Sequence, residues 1–198
     1  MSISVPPDDD PGLSPFDEGL LELYSLWYSG VPPDLRIEAR GGIDGSKMVK
    51  LWQTLWFAKP PIQAGVDATL RERFLPLLAQ VDLSPGAATP TPPAFLSPMH
   101  AKVWTIGFII LCDQITRNVF RDSARAYSGD ALARRLVESL VPAFDELPLP
   151  IRLSVILVYI HSEDTADLEV VHSLMERVKA SKAFGNYSEV WPSLTGIA

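Results

Sequence analysis

The sequence FIILCDQITRNVFR, residues 108–121, passes from an apolar run into a dense polar cluster with no turn residue between them. A second copy of this arrangement is LSVILVYI followed by HSED, residues 153–164. Both runs are too apolar for a surface position, so we expect them in the core. Their polar ends then lie close to the core, where an unpaired charge is costly. Two such ends in one chain indicate either a buried ion-pair network or a functional site.

The composition indicates a globular protein and argues against several functional classes. The chain has 198 residues, of which 47% are hydrophobic and 21% charged, enough for one domain with a sizeable core. The net charge is −7 and no Lys/Arg run is present, so we expect no nucleic-acid partner. A single cysteine, Cys112, argues against a disulfide framework and is predicted to be buried. Signal-peptide and membrane-span patterns are absent, which predicts a cytoplasmic protein without a membrane partner.

Helix signals recur along the chain and predict an all-α fold. Ser14-Pro15 and Ser97-Pro98 combine a capping residue with proline at the first helical position. The spacing of apolar residues predicts helices over about 14–29, 44–57, 67–81, 97–120, 129–141, 150–160 and 163–180. A buried strand at 151–160, where Val and Ile are frequent, is the main competitor. The pattern fits an array of antiparallel helix pairs, either a superhelix or a compact bundle.

Three local predictions concern a helix cap, a proline within a helix and a core position. Ser128 is expected to cap the helix at 129–141. Pro76 is expected to kink its helix or end the first half of it. Leu168 is expected to face inward together with Val171, Leu174 and Val178.

The domain organisation is predicted to be simple. Residues 1–13 are rich in Pro, Asp and Ser and are expected to form a disordered tail. Residues 14–198 are expected to form a single helical domain. Residues 84–98 contain five prolines and are expected to form a loop within it.

The first polar cluster carries more positive charge than it can neutralise by itself. On a helix, Asp113, Arg117 and Arg121 form one stripe at i, i+4 and i+8. The surplus positive charge must face another acid, an anion or water. Glu163 and Asp164 of the second cluster are the predicted ion-pair partners of the two arginines. One possibility is therefore a buried ion-pair network that only joins two helices.

The other possibility is a site. His161 is then a general acid/base or a hydrogen-bond donor, since its unperturbed pKa lies near neutrality. The predicted catalytic residues are His161, Arg117, Arg121 and Asp164. The predicted ligand-binding residues are Asp113, Gln114, Asn118, Glu163, Trp56 and Trp104. A metal site built from His161, Glu163, Asp164 and Asp113 is disfavoured by the neighbouring arginines, and no cofactor motif is present. We therefore predict neither a metal nor a cofactor.

The chain resembles the domain of unknown function 924 family. The resemblance is carried by the run 108–121, by ARAY at 124–127 with Asp130, and by HSED at 161–164. Weaker matches are Trp56-Phe57 and the segment 71–74, and the resemblance covers roughly residues 20–180. It implies an all-α fold similar to tetratricopeptide arrays and names no reaction. Members of the family continue with a histidine- and arginine-rich element that the segment 183–191 does not match, so an activity that needs that element is not expected.

These patterns lead to two functional hypotheses. The first is a small-molecule-binding protein, acting as a cofactor-independent isomerase or cyclase on a neutral, apolar, carbonyl-bearing metabolite of a biosynthetic pathway. Its side chains would hold a reactive conformer and aim donors such as Arg117, Arg121 or His161 at a carbonyl oxygen. The second is a non-enzymatic helical scaffold that binds a peptide or protein in a groove. The sequence does not indicate an oligomeric state.

Overall fold

A computed structural model describes residues 12–28 and 52–181 of the chain, with the side chains of residues 52 and 53 excepted. Seven α-helices lie in this part: α1 Pro15–Trp27, α2 Ile62–Leu78, α3 Pro98–Ile110, α4 Thr116–Val119, α5 Asp130–Glu138, α6 Leu149–His161 and α7 Thr165–Ala180. π-helical turns form at Trp52–Trp56 and Leu111–Ile115, and 3₁₀ turns at Ala124–Tyr127 and Val141–Glu146. No strand is present in the described ranges, so the all-α prediction is confirmed and the competing strand at 151–160 is wrong.

Two helix starts follow from local sequence. At the start of α1, Ser14 accepts from the backbone of Asp17, and the Asp17 carboxylate accepts from the backbone of Ser14 in a capping box. At the start of α3, Ser97 accepts from the backbone N–H of His100. Pro15 and Pro98 occupy first-turn positions, where an N–H would have no helical partner.

The helix that carries the first polar cluster is continuous but changes its winding. α3 runs into the π-helical turn Leu111–Ile115, and α4 continues from there to Val119. The Thr116 hydroxyl donates to the carbonyl of Cys112 at 2.6 Å and so satisfies a backbone acceptor within the wider turn. Cys112 is buried as predicted, and burial raises the pKa of its thiol.

Three local predictions need correction. Ser128 does not cap α5, because its hydroxyl donates to the carbonyl of Arg125 and closes the preceding 3₁₀ turn. Leu168 is 50% exposed, because the inward position of the first turn of α7 is held by Asp167, which pairs with Arg134. Pro76 does not end the first half of its helix, because α2 continues through it to Leu78.

Helix pairs pack around one core. α1 packs on α3, α6 on α7, α2 on α4, and α5 on both α3 and α6. α1 and α3 approach closely at Gly107, where an added Cβ would lie 2.5 Å from the carbonyl oxygen of Leu20. The core includes almost every side chain of α6, as its unbroken apolar run predicts.

The proline-rich segment is a loop held from one side. Residues 84–97 contain no helix, and Arg135 of α5 donates to the carbonyl of Ala87 at 2.9 Å and to that of Pro85 at 3.4 Å. Most of the predicted tail at 1–13 and most of the predicted helix at 44–57 lie outside the described residues. None of the helices within the described ranges is both long and apolar enough to cross a bilayer.

Candidate functional site

A cavity of about 340 Å³ lies where the two polar clusters meet. Its wall is formed by the segment before α2, the first turns of α2, residues 114–121 around α4, and the end of α6. The lining residues are Leu55, Trp56, Phe57, Ala58, Lys59, Gln63, Val66, Asp67, Gln114, Arg117, Asn118, Arg121 and His161. Six of the predicted site residues therefore share one cavity, which lies in the size range of small-molecule sites.

A carboxylate–imidazole pair lies at the centre of the site. Oδ1 of Asp113 is 2.8 Å from Nδ1 of His161, and Asp113 is 1% exposed. The other carboxylate oxygen of Asp113 accepts from the side-chain amide of Gln114. Because the π-helical turn carries Asp113 and α6 ends at His161, the pair joins the ends of both apolar runs.

Nδ1 of His161 has two neighbours that favour opposite protonation states of this nitrogen. The Asp113 carboxylate can only accept, which requires a proton on Nδ1. Nε of Arg117, at 3.2 Å, can only donate, which requires a lone pair on Nδ1. We assign the proton to Nδ1, because a carboxylate 2.8 Å from a ring lone pair would be repelled. Nε2 then carries the lone pair. Within residues 12–28 and 52–181 it has no hydrogen-bond partner, so it is available to a ligand.

Arg117 lies against both members of the Asp113–His161 pair. Its Nη2 donates to both carboxylate oxygens of Asp130 at 3.0 Å and lies 3.5 Å from Oδ1 of Asp113. Its guanidinium also lies 5.1 Å from the ring centroid of Tyr127. Arg117 thus joins two carboxylates and His161 in one network, and the fork geometry fixes its orientation.

Arg121 is paired on the opposite wall. Its guanidinium donates to Oδ2 and Oδ1 of Asp67 at 2.6 and 2.9 Å, and to Oδ1 of Asn118 at 3.0 Å. In the amide orientation that satisfies both groups, Gln63 also accepts from Arg121 at 2.9 Å. Most donors of Arg121 are therefore engaged by protein acceptors.

An aromatic layer supports one wall of the cavity. The indole N–H of Trp56 donates to the carbonyl of Trp27 at 2.9 Å, and the ring of Tyr28 meets Trp56 edge-on at 5.8 Å. The hydroxyl of Tyr28 donates to Ser154 at 2.6 Å. This layer fixes the orientation of Trp56 and joins α1 to α6.

The predicted partners of the arginines are wrong. Glu163 has a positive φ of 56° and is exposed, and Asp164 is exposed and caps α7 by accepting from the backbone of Ala166 at 2.8 Å. The turn between α6 and α7 therefore directs both acids away from the arginines. Neither residue lines the cavity.

Trp104 also lies apart from the site. It is buried in α3, its indole N–H donates to Asp17 at 2.7 Å, and its ring packs against Phe108. The prediction that it lines the same cavity as Trp56 is wrong.

Three charged residues of the site were not predicted from sequence. Asp67 and Asp130 are the partners of the arginines, and Lys59 lines the cavity. Asp67 and Asp130 lie 54 and 13 residues from their partners, so helical spacing carried no signal for them. The usable signal was the surplus of arginines, which requires acids from elsewhere in the chain.

We expect the contributions of Asp130 and Asp167 to the free energy of unfolding to depend on pH in opposite directions. Burial raises the pKa of Asp130 despite Arg117, whereas hydrogen bonds from Arg134 lower the pKa of Asp167. The contribution of Asp167 to stability is present above its unfolded pKa of about 4 and is lost as the pH falls through the folded value. The contribution of Asp130 is present below about 4 and is lost as the pH rises through its raised value.

Urea unfolding between about pH 3 and 7 tests this pair. As the pH rises, the free energy of unfolding of the wild type should increase relative to that of Asp167→Asn. It should decrease relative to that of Asp130→Asn. If the difference in the free energy of unfolding between the wild type and the variant changes with pH in the same direction for both variants, this account is contradicted.

Among the described residues, no group of three or more His, Cys, Asp or Glu is arranged to hold a metal ion. The absence of a metal and of a cofactor stays a prediction.

Comparison with known proteins places the chain in a family. The model of the family described as "Bacterial protein of unknown function (DUF924)" matches residues 24–190. This is most of the chain, so the protein belongs to that family and the resemblance read from the sequence is confirmed. No curated protein and no solved structure matches the chain significantly.

Proposed function

We propose that this family member binds a small carbonyl-bearing organic molecule in the cavity and moves a proton on it with His161. The observation that carries the proposal is the buried Asp113 carboxylate, 2.8 Å from Nδ1 of a histidine that lines the cavity. A carboxylate in this position fixes the tautomer and stabilises the imidazolium that forms when Nε2 takes a proton. The pair is therefore suited to act as a general base.

Asn118 is the group best placed to stabilise the carbonyl oxygen. Its Oδ1 accepts from Arg121, which directs the amide nitrogen elsewhere, and that nitrogen has no acceptor among the described residues. Asn118 is 9% exposed and lines the cavity. A preorganised amide donor aimed at a developing oxyanion is typically worth about 10²- to 10³-fold in rate. The arginines were predicted for this role, but their donors are largely engaged by Asp67 and Asp130.

The chemistry that follows is enolisation within one molecule. Nε2 of His161 removes a proton from the carbon beside the carbonyl, and the electron pair moves to the carbonyl oxygen, where Asn118 donates. In a ligand with a β,γ double bond the enolate is conjugated, and return of the proton to the γ carbon gives isomerisation. In a ligand with a second carbonyl, attack of the enolate carbon on that carbonyl carbon breaks its C=O π bond, and the His161 imidazolium returns its proton to the resulting alkoxide, which gives cyclisation. Side chains alone can carry each proton in these steps.

The proposal predicts deuterium exchange that depends on His161. A panel of aryl and alkyl ketones and 2-oxo acids is incubated with the protein in D₂O, and loss of the signal of the proton beside the carbonyl is followed by proton NMR. His161→Ala should slow the exchange by about 10²-fold or more. The matched control is His172→Ala, because His172 is exposed on α7 and away from the cavity. Absence of exchange with every compound, or equal rates for both variants, would contradict the proposal.

A further inference from the structure

We infer that the ligand carries one carboxylate, bound by Lys59, and an apolar body that contacts the wall formed by Leu55, Trp56, Phe57 and Val66. This inference rests on the proposed small-molecule function and names its substrate class. The reacting carbonyl would belong to the same molecule and lie within reach of Asn118 and His161.

Among the described residues, the charges on the cavity wall single out Lys59 as a cation available to a ligand. Three cations of residues 12–28 and 52–181 line the cavity: Arg117, Arg121 and Lys59. Arg117 is paired with Asp130 and Arg121 with Asp67. Lys59 contacts no carboxylate of these residues, and its side chain is exposed. A ligand anion can therefore bind Lys59 without displacing a carboxylate from this part of the chain.

The backbone of Lys59 is fixed although its side chain is exposed. The carbonyl of Lys59 accepts from the backbone N–H of Gln63 at 3.1 Å, which ties it to the first turn of α2. Gln63 in turn lies against Arg121. The backbone of Lys59 is therefore fixed beside the cavity, and its flexible side chain can reach a ligand anion there.

The apolar part of the wall lies beside Lys59 in sequence and in space. Leu55 and Phe57 precede Lys59 by four and two residues, Val66 follows in α2, and all of them line the cavity. Apolar walls with a few placed polar groups are typical of small-molecule sites. The cavity lining accordingly combines an apolar part, close to Lys59 in sequence, with a polar part that includes Asn118 and His161.

The charge balance favours a carboxylate over a phosphate ester. A carboxylate brings one negative charge, which Lys59 alone neutralises. A phosphate ester brings about −1.5 to −2 near neutral pH. Its second charge would meet no further unpaired cation among the described lining residues, because Arg117 and Arg121 are already paired with Asp130 and Asp67. This ligand differs from the neutral one expected from sequence, because the structure pairs both arginines internally and adds Lys59 to the wall.

The test compares three probes that share a phenethyl group. They are 2-oxo-4-phenylbutanoate, its methyl ester and phenethyl phosphate, titrated by calorimetry into the full-length wild type and Lys59→Met. The wild type should bind the carboxylate about tenfold more tightly than the ester, since a hydrogen-bonded charge pair is worth about one factor of ten. Lys59→Met should bind both equally. The matched control is Lys179→Met on α7, which should keep the preference.

The outcomes separate this inference from the function on which it rests. Equal affinity of the wild type for carboxylate and ester, tighter binding of the phosphate, or no binding of any probe at millimolar concentration would overturn the carboxylate assignment. Deuterium exchange on neutral ketones in the same preparation would show that the proton-transfer function survives that failure. A carboxylate preference that depends on Lys59, without exchange dependent on His161, would support the binding site and contradict the proton transfer.

Discussion

Asp113→Asn should reduce the His161-dependent exchange rate by on the order of 10³-fold or more. The amide is nearly isosteric but donates to Nδ1 instead of accepting from it. The imidazole is then held in the opposite tautomer, with its proton on Nε2, where it cannot act as a base. Ligand affinity should change little, because Asp113 lies behind His161 and does not line the cavity.

Asp145→Asn is the control for Asp113→Asn. Asp145 is an exposed aspartate paired with Arg177, outside the cavity, so its loss should leave exchange unchanged. Circular dichroism and probe binding report whether the Asp113 variant is folded. A folded Asp113→Asn protein that exchanges at the wild-type rate would show that the carboxylate has no role in proton transfer.

Gly129→Ala should be the most destabilising small substitution in the site region. The added Cβ would lie 2.1 Å from the carbonyl oxygen of Cys112 and 2.8 Å from its carbon, so two backbone segments must separate. We expect a loss of about 3 kcal/mol in the free energy of unfolding. Because α5 begins at the next residue, Asp130, the same shift would move Asp130 away from Arg117.

Gly65→Ala is the matched control. Gly65 lies in α2 with no atom within 4 Å of an added Cβ, so alanine should add about 0.5–1 kcal/mol of stability through helix propensity. Urea unfolding followed by circular dichroism measures both variants. A Gly129→Ala protein as stable as the wild type would contradict the close packing of α5 on the π-helical turn.

The fold was largely predictable because its signals are local. Ser14 and Ser97 each precede a proline at a helix start, and α6 is an unbroken apolar run that the core contains almost entirely. The failures arise where tertiary contacts override a local signal. Ser128 has the chemistry of a cap, yet its hydroxyl is used by the preceding turn. Leu168 has the character of a core residue, yet the ion pair between Asp167 and Arg134 sets the rotation of α7.

Part of the membership of the candidate site was predictable, but its pairings were not. Asp113, Arg117 and His161 were singled out because polar groups at the ends of buried runs must meet partners near the core. Glu163 and Asp164, the acids that follow the second apolar run, were assigned to the arginines, although the turn after α6 directs them to solvent. Which acid meets which arginine depends on how α2 and α5 pack, and helical spacing within one segment carries no information about that.

The most direct test of the account is the tautomer of His161. Long-range proton–nitrogen NMR on protein labelled at its three histidines, with His161→Ala to assign the signals, reports which ring nitrogen holds the proton. The account predicts a proton on Nδ1, bonded to Asp113, and an unprotonated Nε2 whose nitrogen shift moves when 2-oxo-4-phenylbutanoate binds. A proton on Nε2, with Nδ1 accepting from Arg117 and no response to the probe, would contradict it.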